Sequence, residues 1–324
     1  GQGDTTDRGD NANEMGDNLP AVSLGSGRTA TAVAAGANHT CALLDNGTVK
    51  CWGRNGNGQL GLGDTTQRGD EANEMGGSLL SVSLGTGRTA TAVAAGTNHT
   101  CALLDDATVK CWGGGIFGQL GLGDTADRGN QPNEMGDALP AVDLGPNRTA
   151  TAISAGAFHT CALLDNANVK CWGNNADGQL GQGDTAKRGD APGEMGSSLP
   201  PVSLGANRTA TAVTTGGSHT CALLDNANVK CWGDNTFGQL GQGDTANRGD
   251  AAGEMGGSLP PVALGSGRTV LAVSSGEDHV CAVLDNATLK CWGDNFGGIL
   301  GSEDSLKRGD GPGEMGDNLP VVFL

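Results

Sequence analysis

Residues 41–61 read CALLDNGTVKCWGRNGNGQLG, and the stretch returns with its Trp at positions 52, 112, 172, 232 and 292, sixty residues apart each time. Two short apolar runs flank Asp45-Asn46-Gly47, a turn sequence with Gly where a left-handed residue is wanted. Later units place Ala107, Ala167, Ala227 and Ala287 at that point, which leaves the turn type open. With a three-residue loop built on a type I turn and a G1 bulge, Leu44 faces Thr48 and, counting outward, Cys41 faces Cys51. The ladder then makes 41/51 a non-hydrogen-bonded pair, the kind whose side chains come closest, and two cysteines there reach a cross-strand disulfide. The same counting pairs Cys101 with Cys111, Cys161 with Cys171, Cys221 with Cys231 and Cys281 with Cys291, leaving none of the ten cysteines over. Metal ligation competes poorly, because thiolate sets come as closely spaced pairs and each repeat holds one pair.

The 324 residues carry a net charge of −17. That balance argues against nucleic acid as a partner, since phosphate neutralisation needs clustered Lys and Arg. It argues equally against an anionic membrane, and no apolar run is long enough for membrane insertion as a helix. A disulfide in every repeat points outside a reducing cytosol, to an extracellular or cell-surface location. The opening Gly1-Gln2-Gly3-Asp4, without Met or signal peptide, reads as a mature or excised piece. Aromatic residues are scarce, five Trp, five Phe and no Tyr, against 58 Gly. Gly serves the turns, and repetition supplies the core.

The repeats phase as 1–60, 61–120, 121–180, 181–240 and 241–300, with a partial sixth at 301–324. In the first, Gly1 to Asn18 is a polar, Gly-rich loop. Leu19 to Leu24 reads as a short strand with Pro20 at its start. Thr29 to Ala35, His39 to Leu44 and Thr48 to Gly53 read as three more, and no segment keeps a helical apolar period. Four short strands per repeat, each set too small to hide both faces, predict an all-β fold, a β-propeller with one intrachain hairpin disulfide per repeat. A parallel β-helix suits the tight hairpin less well.

Gly36-x-x-His39-Thr40-x-Ala42-Leu43 followed by Trp52-Gly53-x-Asn55-x-x-Gly58-Gln59-Leu60-Gly61 resembles the repeat of the regulator of chromosome condensation (RCC1-like) family, in all five units. The resemblance implies a single propeller domain over 1–324 built of four-stranded antiparallel blades, usually seven. Five full units, the added cysteine pair, the acidic surface and the insertion GDTTDRGDNANEMGDN depart from that pattern. The nuclear members' exchange activity and chromatin binding are not carried over. Bacterial extracellular members, which act as binding or inhibitory scaffolds, are the better likeness. Residues 301–324 repeat 1–24, so the Leu19–Leu24 strand occurs six times and the others five. Either one terminal copy is redundant or the ring does not close. The last unit drifts, with Ile299 for Gln59, Glu303 for Gly63 and Val280 for Thr40, as terminal repeats do.

The five His (39, 99, 159, 219 and 279) share one repeat position, which reads as blade packing rather than catalysis, and the Trp read likewise. The acidic loop is the one metal hypothesis: Asp64, Asp70 and Glu74, recurring as Asp184, Asp190 and Glu194, suit calcium by their hard oxygens, against Asx-turns ordering a long loop. No other cofactor is indicated. Arg-Gly-Asp, as at Arg68-Gly69-Asp70, occurs inside the repeated RGDxxxEMG and is explained by repetition of the loop. Variation concentrates at Ala37-Asn38 and Arg54 to Asn57, placed by strand alternation at one end of every blade. The residues Asn38, Asn98, Phe117, Phe158, Phe237 and Phe296 mark that rim as a binding face. No nucleophile–base pair, phosphate loop or zinc motif appears. The expected function is a non-enzymatic extracellular scaffold for protein or glycan binding or surface structure. The alternatives are a filament joined head to tail by strand addition between the 1–24 and 301–324 ends, and a multivalent lectin.

Overall fold

The alternating runs fold as their period requires. The computed structural model describes residues 1–323, with fifteen strands, three to each repeat, and among the described residues no α-helix, only five 3-10 turns. They fall into two compact units, residues 1–115 with 126–141, and residues 116–125 with the chain from Val142 onward.

The first unit holds the sheets of repeats 1 and 2: β1 (Ala30–Ala35), β2 (His39–Leu44), β3 (Val49–Gly53), β4 (Ala90–Ala95), β5 (His99–Leu104) and β6 (Val109–Gly113). The second holds repeats 3 to 5: β7 (Ala150–Ala155), β8 (His159–Leu164), β9 (Val169–Gly173), β10 (Ala210–Thr215), β11 (His219–Leu224), β12 (Val229–Gly233), β13 (Val270–Ser275), β14 (His279–Leu284) and β15 (Leu289–Gly293). Every sheet is an antiparallel meander in chain order.

In the central hairpin, Leu44 N–H donates to Thr48 O at 2.9 Å and Gly47 N–H to Leu44 O at 2.9 Å. The loop is therefore three residues long. Gly47 stands at φ 75°, and Ala107, Ala167, Ala227 and Ala287 adopt the same left-handed conformation at φ 60–62°. An alanine there costs roughly 1 kcal/mol, so register and packing, rather than the turn residue, hold the hairpin in those four repeats. Cys41 lies directly opposite Cys51, with 4.1 Å between Cα atoms, and all five pairs are disulfide-bonded.

One expectation needs correcting. Leu19–Leu24 and its copies are not regular strands. Four of the later copies, at 79–84, 199–204, 259–264 and 319–323, are extended segments that complete the sheet of the preceding repeat, not their own. Val82 N–H donates to Val49 O at 2.8 Å, Val202 to Val169, Val262 to Val229 and Val322 to Leu289, each also at 2.8 Å. The pairing is one bond in each, both where prolines such as 200, 201, 260 and 261 remove donors and in the Leu79–Leu84 copy, which has none. The first copy has no such partner among the described residues. Its Leu19, Val22 and Leu24 are half-buried, whereas Leu79, Val82 and Leu84 are 2–5% exposed.

The core lies between successive sheets, not within them. In the second unit, Cys161, Val169, Cys171 and Leu180 of repeat 3 pack against Val202, Ala210, Leu224 and Trp232 of repeat 4. A second cluster joins Leu223, Val229 and Leu240 to Val270, Val280 and Trp292. Each fully buried Leu or Val contributes on the order of 2 kcal/mol, so a disulfide rather than aromatic bulk stiffens each sheet. Replacing Cys101 and Cys111 together by Ser opens a closure spanning ten residues and should lower the unfolding free energy by about 3 kcal/mol. Urea denaturation of the variant beside the native protein measures the difference.

Candidate binding face

The turns that vary between repeats do meet at one end of each sheet. Arg54 N–H donates to Asn38 O at 2.8 Å, and the same bond links Gly114 to Asn98, Asn174 to Phe158, Asp234 to Ser218 and Asp294 to Asp278. Asn55 and Gln59, each replaced in a single repeat (by Gly115 and by Ile299), fix the turn from below. Asn55 Nδ2 donates to Asp64 O at 2.8 Å while its Oδ1 accepts Leu60 N–H, and Gln59 Oε1 accepts Asn57 N–H. With those groups satisfied, residues 54, 56 and 57 are released to change.

At this end the side chains gather in threes, drawn from one repeat's second turn, the next repeat's first turn and the acidic loop beyond it. In the second unit Phe117 meets Phe158, with ring centroids 5.0 Å apart and planes tilted by 58°, and Lys187 Nζ stands 5.2 Å from the Phe117 ring. Lys307 Nζ stands 4.3 Å over Phe237. Such cation–π contacts are worth about 0.5–1 kcal/mol where exposed. In the first unit the same place is polar, with Asn57 Nδ2 donating to Asp127 Oδ2 at 3.0 Å. Asp177, in the repeat between the two phenylalanines, sits beside Ser218 and Asp234, and burial raises its pKa. Asp278 is pushed up to about 6 by burial, then by Glu277, Asp234 and Asp294.

The phenylalanines expected on this rim are therefore not one patch. Phe117 and Phe158 form a half-buried pair with exposed Ile116 beside them, Phe237 lies under its own lysine, and Phe296 is 86% exposed on a 3-10 turn. Asn38 is exposed and Asn98 half-buried. The lysines went unread in the sequence although a signal was there. Seventy residues after Phe117 and Phe237 stand Lys187 and Lys307, whereas Asn57 is followed by Asp127 and Asp177 by Asn247.

The calcium reading of Asp64, Asp70, Glu74, Asp184, Asp190 and Glu194 is not what this geometry provides. Asp64 is paired with Arg68 at 2.6 Å and accepts Thr66 N–H, and Glu74 Oε2 accepts N–H groups from Gly69, Asp70 and Glu71. Asp184 and Glu194 repeat these bonds with Arg188, Ala186, Gly189, Asp190 and Ala191. The oxygens that would ligate a cation already order their own loop, and no three His, Cys, Asp or Glu among the described residues converge as ligands. The same ion pair draws the Arg of the Arg-Gly-Asp tripeptide inward.

Four of the five histidines are buried, and His279 is half-buried. His39 Nε2 pairs with Thr100 Oγ1 at 2.8 Å and His159 Nε2 with Thr220 Oγ1 at 2.9 Å. His219 should meet position 280 in the same way, but Val280 stands there, and both His219 ring nitrogens are buried without a partner. Burial pushes the pKa of His39 to about 4, His99 to about 3 and His219 to about 4.

The extended match to known proteins fits this geometry. The fold is a β-propeller built of repeated blades. The RCC1-like domain profile matches residues 1–316, and the chain belongs to the RCC1-like family. It is 31% identical over 283 residues to the ultraviolet-B receptor UVR8 of Arabidopsis thaliana, covering 85% of this chain and 56% of the receptor. To human HERC6, a probable E3 ubiquitin-protein ligase, it is 28% identical over 85% of this chain and 24% of that protein. The chain thus spans between a quarter and about half of these relatives. Among solved structures, human WBSCR16 superposes with a TM-score of 0.63 at 19% identity, covering 92% of this chain and 67% of the other. Yeast Prp20p, from a study of its binding to Gsp1p and histones, gives 0.60 at 22% identity, covering 81% and 57%. These two likenesses speak for the fold.

Val280→Thr should supply the hydroxyl that His219 lacks and raise stability by about 1 kcal/mol, read as a higher denaturation midpoint. The histidines also set a pH dependence. Their folded pKa values lie below the 6.5 of an unperturbed histidine, so the unfolded chain binds more protons, and stability is lost as pH falls from about 6.5 towards 4. Asp278 acts in the opposite sense below about 6, as do Asp177, Asp250 and Asp310, which burial raises, whereas burial lowers His279 with the other histidines. Denaturation midpoints should therefore drop steadily between pH 7 and 4.5, which a urea series at fixed pH steps checks.

Proposed function

We propose that this chain is a non-enzymatic extracellular scaffold that binds protein partners through the variable end of its blades. RCC1-like propellers are in general non-enzymatic binding scaffolds, which supports the coarser part of this reading, and no helix among the described residues is long and apolar enough to cross a membrane. Five disulfides with no free cysteine favour an oxidising location. The observation that carries the reading is the confinement of change. Disulfides, Trp and Lys50-type amines are held constant, while the threes at one end change from polar (Asn57, Asn98, Asp127) to apolar with lysine (Phe117, Phe158, Lys187) to polar and acidic (Asp177, Ser218, Asn247). A surface under structural constraint alone would repeat as faithfully as the hairpin does.

Glycan recognition has less behind it, because Trp112, Trp172, Trp232 and Trp292 are fully buried and present no face to a sugar.

A photo-crosslinking residue at position 117 or 237 should capture partners from the secreted and surface proteins of the source organism. The same residue at 46 or 166, at the opposite end, should capture few. Equal capture from both ends would remove the variable end as the recognition face.

A further inference from the structure

Asparagine recurs in the turns of this chain, and in six places it opens an Asn-x-Thr triplet. These are Asn38-His39-Thr40, Asn46-Gly47-Thr48, Asn98-His99-Thr100, Asn147-Arg148-Thr149, Asn207-Arg208-Thr209 and Asn286-Ala287-Thr288. None has Pro in the middle, so each meets the acceptor pattern for an asparagine-linked glycan. Such a match counts for little until the fold shows which triplets lie in exposed turns.

Four of them do. Asn46 and Asn286 sit in the three-residue hairpin loop, and Asn147 and Asn207 in the turn before the first strand of their repeats. All four asparagines are exposed. Asn46 Oδ1 accepts the Thr48 hydroxyl at 2.8 Å and Thr48 N–H at 3.2 Å. Asn286 Oδ1 accepts the same two donors from Thr288 at 2.7 and 3.3 Å. The threonine hydroxyl is thus held beside the amide, while Nδ2 has no partner among the described residues. Asn147 and Asn207 stand at φ 56°, where other repeats use Gly27, Gly87 and Gly267 at φ 68–71°. Neither side chain makes a hydrogen bond among the described residues.

The two turns belong to one end of the sheet. Arg148 pairs with Asp165 at 3.1 Å and Arg208 with Asp225 at 3.4 Å, which ties the middle of one triplet to the hairpin loop. The triplet moves between these turns. Repeats 1 and 5 carry it in the hairpin loop and have Gly27 and Gly267 in the other turn. Repeats 3 and 4 carry it in the other turn. Their hairpin loops read Asn166-Ala167-Asn168 and Asn226-Ala227-Asn228, with the hydroxyl gone. Repeat 2, with Gly87 and Asp106, has no triplet at this end. A left-handed turn explains Asn in place of Gly. It does not explain why no repeat holds the triplet in both turns.

The remaining two triplets lie at the variable end. Their middle residues, His39 and His99, begin β2 and β5 and are 3% and 0% exposed. Thr100 is fully buried and gives its hydroxyl to Gln59 O at 2.9 Å. These triplets run into the core rather than across a turn, and packing accounts for their His and Thr.

We propose that Asn46, Asn147, Asn207 and Asn286 carry asparagine-linked glycans, one in each of four repeats and all at the hairpin end. This assignment rests on the extracellular reading, because the transfer needs a secretory route and a sugar activated as a diphosphate. In that transfer Nδ2 bonds to the anomeric carbon of the sugar. The bond from that carbon to the phosphate oxygen breaks, and the displaced amide proton leaves with the diphosphate. Bulky, hydrated sugars at the constant end leave the variable turns bare, so one end of each blade is screened and the recognition face stays open.

An amidase that releases asparagine-linked sugar converts each occupied asparagine to aspartate. Peptide mass mapping of the secreted protein after this treatment should mark Asn46, Asn147, Asn207 and Asn286 and leave Asn38 and Asn98 unmarked. In the chain exported by glycosylating cells, Thr149→Val, which removes the hydroxyl and keeps the branched shape, should lose one glycan from the intact mass. Thr149→Ser should keep it, and Asn168→Thr should add one. Thiol labelling reads the five disulfides separately. Closed disulfides with no sugar at the four positions overturn this inference and leave the extracellular reading standing. Ten free thiols in the protein from its source overturn both. Sugar confined to Asn38 and Asn98, or kept on Asn147 in Thr149→Val, overturns the assignment as well.

Discussion

In the first three repeats a single carbonyl, on Gln59, Gln119 and Gln179, accepts both the indole N–H and the threonine hydroxyl of the following repeat, and Gln239 keeps the indole alone. Both donors lie in the dry space between sheets, where an unmade hydrogen bond costs about 1–3 kcal/mol. Sheets this small have no interior of their own, so the polar pair fixes the distance and angle at which their apolar faces close. The histidine column reports on the same joint. Where the threonine is kept, the imidazole Nε2 of His39 or His159 is satisfied by it. Where Val280 replaces it, His219 loses its partner while the apolar packing survives.

The hairpin, its register and the disulfides were legible in the sequence because they depend on residues close along the chain. Counting outward from Asp45-Asn46-Gly47 is enough to place Cys41 on Cys51. The ownership of Leu79–Leu84 was not legible, because a short extended segment carries no mark of which neighbouring sheet it joins. The threes at the variable end were hidden for a related reason. Lys187 reaches Phe117 across seventy residues, and only the recurrence of that spacing at Lys307 and Phe237 could have linked them. The acidic loop misled in a different way. Its carboxylates have the composition of a calcium site, but Arg68 and the backbone N–H groups of the same loop consume them first.

Rigidity and variability are separated by position. At one end lie the hairpin turn and the ion pairs that hold it, such as Arg88 with Asp105 and Arg148 with Asp165. At the other lie turns whose backbones are pinned by Asn55 and Gln59 and whose side chains are unconstrained. A framework that absorbs change at one end without transmitting it to the core allows recognition to diversify repeat by repeat.

The borrowed fourth segment has a consequence for how such a chain can grow. Because Val82 belongs to the sheet begun at Ala30, the self-sufficient blade is residues 25–84, not the 1–60 that sequence similarity suggests. Tandem duplication of any sixty-residue window rejoins the chain in phase, so every new internal sheet still meets a following segment able to close it. Whole-repeat expansion is therefore tolerated at any breakpoint, because completion of each sheet is deferred to the repeat that comes next.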